Sequence, residues 1–197
     1  MPDQIADNAA LVIVDFQKAI DDPKWGRRNN PDAEQRVGDL LALWRHLGRP
    51  VVHVQHLSTE PGSPYRPGQP GCDFKDSLAP GPGEIVIQKK TNNAFIETGL
   101  QASLHDRGIT ELIIVGVLLH NSVDATVRMA ANLGFRTWIA EDATSSSELR
   151  DMTGRLWSPD DVHAVSLAQL NGEYATVVRT SPLIASLQTL VAAQPGA

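Results

Sequence analysis

Apolar residues run unbroken from Ala9 to Val14 and stop at Asp15, the pattern of a strand buried on both faces and hence of a parallel sheet covered by helices. Between Asn30-Pro31 and Gly48, residues Val37, Leu40, Leu41, Trp44 and Leu47 recur at helical spacing. With a capping residue and a first-turn proline in front of them, they predict an amphipathic helix. Val51–Val54 and Ile85–Ile87 read as the second and third strands, Phe95–Leu104 as a helix, and Leu112–Val117 as a strongly apolar fourth strand. Val123, Thr126, Val127, Ala130 and Leu133 then mark a helix closed by Gly134, followed by a fifth strand at Thr137–Ala140. Ser158-Pro159-Asp160-Asp161 has the form of a cap, a first-turn proline and early acidic residues, opening a helix that ends near Gly172. Tyr174–Val178 is the sixth strand, and Ser181-Pro182 repeats the cap-and-proline device for a terminal helix. Strands alternating with helices at these lengths predict a three-layer, doubly wound α/β fold with right-handed crossovers. No internal repeat interrupts the order. Ser58–Gly83, with six prolines and five glycines, is a long irregular connection of the kind that often carries function.

Composition narrows the picture. A chain of 197 residues with 42% apolar and 20% charged positions is expected to form one compact soluble domain over 1–197. A net charge of -6 with no basic block argues against nucleic acid or anionic lipid as partners. No apolar run approaches the length of a bilayer span, and Met1–Asn8 lacks the basic-then-apolar pattern of a secretory leader, so cytoplasmic residence is the default expectation. The single cysteine, Cys72, leaves no intrachain disulfide or multi-cysteine metal site, and in its Gly/Pro-rich setting it reads as an incidental thiol.

Ligands of open parallel sheets bind outside the carboxyl ends of the strands. Asp15 follows the first strand, Lys89 the third and Ser122 the fourth, so all three are placed on that edge. Singly, an Asp there caps a loop, a Lys is solvated, and Asn121-Ser122 is an ordinary helix start. Together they supply a base, a charge stabiliser and a nucleophile. If Ser122 faces a pocket, backbone N–H groups of Val123 and its neighbours are expected to bind a developing oxyanion at the positive end of the helix.

Three segments resemble the isochorismatase-like, or cysteine hydrolase, family. Leu11-Val12-Ile13-Val14-Asp15-Phe16-Gln17 is similar to its opening strand with the catalytic Asp. Lys89 with Asn93-Ala94-Phe95, Thr98 and Leu100 is similar to its lysine motif, and Gly116-Val117-Leu118-Leu119-His120-Asn121-Ser122-Val123-Asp124-Ala125-Thr126 to its nucleophile motif. Ala130, Gly134-Phe135 and Glu141-Asp142-Ala143-Thr144 continue the pattern, and the likeness runs over residues 9 to 180. It implies a Rossmann-like sheet of six parallel strands in the order 3-2-1-4-5-6, a cis peptide between Val117 and Leu118, and a homo-oligomer. It also implies catalytic roles for Asp15 and Lys89, with Ser122 standing where most relatives carry a nucleophilic cysteine. A thiol ionises readily near neutral pH, whereas a serine needs a general base during attack.

Three functions stay open on this reading. The first is a cofactor-free small-molecule hydrolase of amide-type C–N bonds. The second is a binding or scaffold protein that kept the fold. The third is a vinyl-ether hydrolase needing only Asp15 and Lys89, although the Tyr-Ala-His run typical of isochorismatases is missing after Gly116-Val117. Candidate substrate contacts are Gln17, His56, Phe95, Leu118 and His120. Some relatives bind zinc through an Asp and two His. Here His53 and His56 lack the Asp-X-His pair, so no metal is expected. Trp25, Arg27 and Arg28 lie in the loop after the first strand, which shapes pockets in such folds. His163 and Glu173 are expected to be structural. The absence of a phosphate-binding glycine fingerprint and of a Gly-X-Ser-X-Gly elbow disfavours nucleotide cofactors and an α/β-hydrolase triad.

Overall fold

The structure, a computed structural model, describes residues 5–192; the ends of the expected 1–197 domain, 1–4 and 193–197, lie outside the described residues. The strands are β1 (Ala10–Val14), β2 (Val51–His56), β3 (Ile85–Lys89), β4 (Glu111–Val117), β5 (Arg136–Ser145), β6 (Leu149–Arg150), β7 (Leu156–Trp157) and β8 (Thr176–Val178). The helices are α1 (Ala33–His46), α2 (Leu100–His105), α3 (Asp124–Asn132), α4 (Pro159–Leu170) and α5 (Thr180–Ala192). Six strands form one parallel sheet in the order β3-β2-β1-β4-β5-β8, and β6 and β7 pair as a separate antiparallel hairpin. With β8 as the sixth strand, this is the 3-2-1-4-5-6 topology.

Strand alternation divides the core into two layers. Leu11 and Ile13 of β1 pack with Leu40 and Trp44 of α1 and Leu183 of α5 on one face. Ala10, Val12 and Val14 face the other way, against Leu100 of α2, Val127 of α3 and Leu167 of α4. Both faces of the central strands are therefore apolar, which is why β1 and β4 read as continuous runs.

Local departures from the expected elements have identifiable causes. Asn30 does not cap α1. It sits at φ 46° and its amide reaches across the molecule to the carbonyls of Glu141 (3.0 Å) and Thr144 (2.8 Å), tying the chain before α1 to β5. The helix expected from Phe95 begins only at Leu100, because residues 93–98 make side-chain turns of their own. Asn93 Oδ1 accepts from Phe95 N (2.8 Å), Thr98 Oγ1 donates to Ala94 O (2.6 Å), and Glu97 sits at φ 54°. Ser158 does cap α4, accepting from Asp161 N at 3.1 Å with Pro159 next. The fifth strand runs to Ser145, with a register shift beside Gly116. Gly116 itself is obligatory. At φ 132° a Cβ there would lie 2.2 Å from the Val14 carbonyl oxygen, so only glycine lets β4 approach β1 this closely.

Candidate active site

At the carboxyl edge of the sheet, Asp15 turns the chain out of β1 through a left-handed conformation, φ 55°, while its N–H still donates to Val54 O of β2 (3.0 Å). Lys89 ends β3 and lies beside His56 in the register with β2. Ser122 lies in a π-helical turn, Leu119–Val123, that joins β4 to α3 after a cis peptide between Val117 and Leu118. All three side chains are buried, and they meet.

Lys89 Nζ donates to Asp15 Oδ2 (2.8 Å), to Ser122 Oγ (3.3 Å) and to the Thr91 carbonyl (3.1 Å). An ammonium has three N–H donors, and protein acceptors occupy each of them. Asp15 Oδ1, by contrast, is buried and has no hydrogen-bond partner among the described residues. A carboxylate oxygen without a donor is costly to bury, and here it belongs to a residue lining a cavity.

That cavity, about 270 Å³, has Asp15 and Ser122 among its lining residues, together with His56, Tyr65, Trp25 and Leu118. Tyr65 stands edge-on to both Trp25 (5.9 Å between ring centroids) and His56 (5.7 Å), giving one wall an aromatic character. Burial, reinforced by the Asp15 carboxylate, pushes the Tyr65 phenol far above its ordinary range, so it stays neutral. Burial lowers the His56 pKa, and Lys89 lowers it further, against smaller opposing effects of Asp15 and the Thr91 backbone.

The other expected contacts fall elsewhere. Gln17 is fully buried and acts as a clamp. Its Oε1 accepts from His56 N (2.7 Å), and its Nε2 donates to the carbonyls of His56 (3.0 Å) and Cys72 (2.9 Å). The Phe95 ring packs on Phe135, 5.8 Å between centroids. His120 is half-buried within the same turn as Ser122, its Nδ1 lacking a hydrogen-bond partner among the described residues, and burial lowers its pKa. Neither Phe95 nor His120 is among the residues lining the cavity.

His53 points away from the edge and binds Glu84 (2.7 Å). Among the described residues no group of three or more His, Cys, Asp or Glu side chains gathers as a metal site. Two expectations change. Ser122 is not a helix cap but a buried partner of Lys89 inside a continuous helical turn. The N–H groups of Asn121 and Val123 both donate to Leu118 O (3.1 and 3.2 Å), so neither waits for an oxyanion. Tyr65, Ser58, Ser63 and Asn92 also line the cavity, and nothing singled them out beforehand except that three of them lie in the long Pro/Gly-rich connection.

The isochorismatase domain model matches residues 9–181. The chain belongs to the isochorismatase family. A crystal structure described as a hydrolase of that family, from Chromobacterium violaceum, superposes with a TM-score of 0.91 at 49% identity, covering 96% of this chain and 100% of the other. An uncharacterised isochorismatase family protein of Bacillus subtilis is 41% identical over 175 residues, 89% of this chain and 94% of its own. A maleamate amidohydrolase of Pseudomonas putida is 25% identical over 198 residues, covering 92% of this chain and 87% of the relative. As an isochorismatase-family member the chain is a hydrolase by descent. Its sheet order is the one the family likeness implied, and no helix among the described residues is long and apolar enough to cross a membrane.

Proposed function

We propose that this chain hydrolyses an amide-type C–N bond of a small molecule through a covalent acyl intermediate on Ser122. The observation that carries this reading is the single ammonium of Lys89 bonded at once to Asp15 and to Ser122, both of which line a cavity of about 270 Å³. A cavity near the small end of the usual ligand-site range of roughly 300–1,000 Å³ suits a small substrate.

Each group then has one task. Lys89 donates to the Ser122 oxygen, which leaves the hydroxyl proton to be given away, and the unpartnered Asp15 Oδ1 is the acceptor. As Ser122 Oγ bonds to the carbonyl carbon, Asp15 takes that proton and passes it to the leaving nitrogen when the C–N bond breaks. The positive charge of Lys89 favours the negative charge that develops between these steps. Asn92 and Asn121 border the same space and provide amide donors for the substrate. The amidohydrolase relative supports C–N cleavage as the reaction class.

Variants assayed on a panel of small amides test this. Ser122→Ala is expected to lower turnover by roughly a thousandfold or more, and intact-mass measurement of the unaltered chain is expected to find an acyl group on Ser122. Activity that survives Ser122→Ala but not Asp15→Asn would replace this reading with vinyl-ether hydrolysis. A parent chain inactive throughout, with activity gained in Ser122→Cys, would replace it with a binding role.

A further inference from the structure

Beside the reaction cavity lies a second one, of about 340 Å³. Ile20 and Val117 line both, whereas Asp15 and Ser122 line only the first. Val117 and Ser145, partners in register at the ends of β4 and β5, place the second cavity on the same carboxyl edge of the sheet, where ligands of open parallel sheets bind. The chemistry proposed above makes no use of it.

Its wall is fixed by bonds between the loop after β1 and the exit of β5. Asn29 N–H donates to Ser146 O (3.1 Å), and Asn29 Oδ1 accepts from Ser146 N (2.8 Å). The neighbouring Asn30 amide holds the carbonyls of Glu141 and Thr144. With its oxygen engaged, Asn29 has its Nδ2 donor left, and neither that group nor the Ser145 hydroxyl has a partner among the described residues. Asn29 is 9% exposed and Ser145 2%, yet both line the cavity, and neither polar atom is sealed within packed protein. Two side chains at least nine-tenths buried thus offer hydrogen-bonding groups to one space and to no other part of the chain.

The charges around that space do not cancel. Arg28 donates to the Ile20 carbonyl and to Asp21 Oδ1 (3.2 Å), and Lys75 bridges Asp21 and Glu34, 3.1 Å from the latter. Two cations therefore match two carboxylates. Asp22, the third carboxylate of the wall, is half-buried and has no ion-pair partner among the described residues. One of its oxygens accepts from Lys24 N (3.0 Å), and the other is unbonded. Phe16, Ile20 and Val117 supply an apolar side. We propose that this cavity binds a small ammonium-bearing molecule that also carries a neutral oxygen, of which an amino alcohol is the simplest kind. The ammonium donates to the Asp22 carboxylate, a charge-assisted bond, and to Ser145 Oγ. The oxygen accepts from Asn29 Nδ2, and the carbon body lies against Ile20 and Val117. This site goes beyond the acyl-enzyme reading and does not depend on it.

The test follows the backbone amide NMR signals of the isotope-labelled chain during titration with three probes of one length, an α,ω-aminopentanol, the α,ω-pentanediol and the ω-hydroxypentanoate. The aminopentanol is expected to shift the amides of Asp22, Asn29 and Ser145, and the uncharged diol to bind about tenfold more weakly. The anionic probe is expected to bind more weakly still. Asp22→Asn keeps an acceptor for Lys24 N, and its spectrum reports the fold. It is expected to weaken the aminopentanol about tenfold while leaving the diol as it was, a split that a merely structural role would not produce. Ser145→Ala is expected to weaken both, and Ser122→Ala neither. Equal binding of the cationic and anionic probes overturns the inference, as does Asp22→Asn binding as tightly as the parent. Shifts centred on Asp15 and Ser122 instead, or none up to about 50 mM probe, overturn it too.

Discussion

Replacing Asp15 by Asn removes a charge and little else. Asn tolerates the left-handed backbone that Asp15 holds at φ 55°, and its amide oxygen still offers Lys89 an acceptor. The change is electrostatic. Lys89, with a side chain 0% exposed against 5% for Asp15, loses its counter-ion. Unit charges 2.8 Å apart attract by roughly 6 kcal/mol at an effective dielectric of about 20. Much of that only offsets desolvation, and removing one member of a buried pair costs about 3–5 kcal/mol in practice. Because an acceptor survives, Asp15→Asn should lie at the lower end, near 3 kcal/mol. Lys89→Met, which strands the carboxylate, should cost as much or more. The double variant should cost less than the sum by about 2 kcal/mol, since neither charge is then left alone. Urea unfolding followed by tryptophan fluorescence measures this. With a slope near 2 kcal/mol per M the Asp15→Asn midpoint moves down by about 1.5 M. Single variants that each cost under about 1 kcal/mol and simply add, as solvent-exposed pairs do, would refute the reasoning.

Other outcomes follow from the same structure. Gly116→Ala should lower stability by more than about 3 kcal/mol, because the new Cβ meets the Val14 backbone at a φ of 132°; a melting temperature equal to that of the parent would contradict that approach. His53, His56, His120 and His163 all have pKa values lowered from 6.5, burial being the largest cause in each. The unfolded chain therefore binds these protons first, and the histidine contribution, complete above about pH 6.5, is lost on acidification. Glu84 extends the loss. Burial alone raises its pKa, but Arg45, the Gly81 N–H and His53 outweigh burial and hold it at about 2 against 4.5. Its contribution is thus present above about pH 4.5 and lost toward about pH 2. Urea midpoints should fall between about pH 7 and 5, and Glu84→Gln should flatten the limb below; a midpoint that rises on acidification would count against this. In the β6–β7 hairpin, Asp151 accepts from Thr153 N, Arg155 N and Trp157 Nε1, so Asp151→Ala should speed tryptic cleavage after Arg150 and Arg155. Unchanged cleavage would show that these bonds do not order the hairpin.

The central strands were legible because burial on both faces leaves no polar position in β1 and hardly any in β4. Strand order was not, since periodicity says which face is buried and not which neighbour a strand takes; the family likeness supplied it. Asp15, Lys89 and Ser122 could be placed because each directly follows a strand. Gln17 and His120 show the limit. Nothing in their positions tells a side chain spent on distant backbone, or carried on a turn without entering the cavity, from one that reaches a pocket. Asn30 is the same case in reverse, a favoured capping residue whose amide is used instead by β5, more than a hundred positions away. The cavity wall was least visible, because Tyr65 and its neighbours come from an irregular connection with no period to read.

The three N–H bonds of Lys89 have a consequence for how such a protein can diversify. With each proton already held by the chain, the ammonium keeps none in reserve for an arriving molecule, so it cannot be what distinguishes one guest from another. Discrimination is left to the loops carrying Trp25, Tyr65 and Asn92, which stand outside that trio. Rewriting those loops would exchange the clientele of the enzyme while its reactive chemistry stayed as it was.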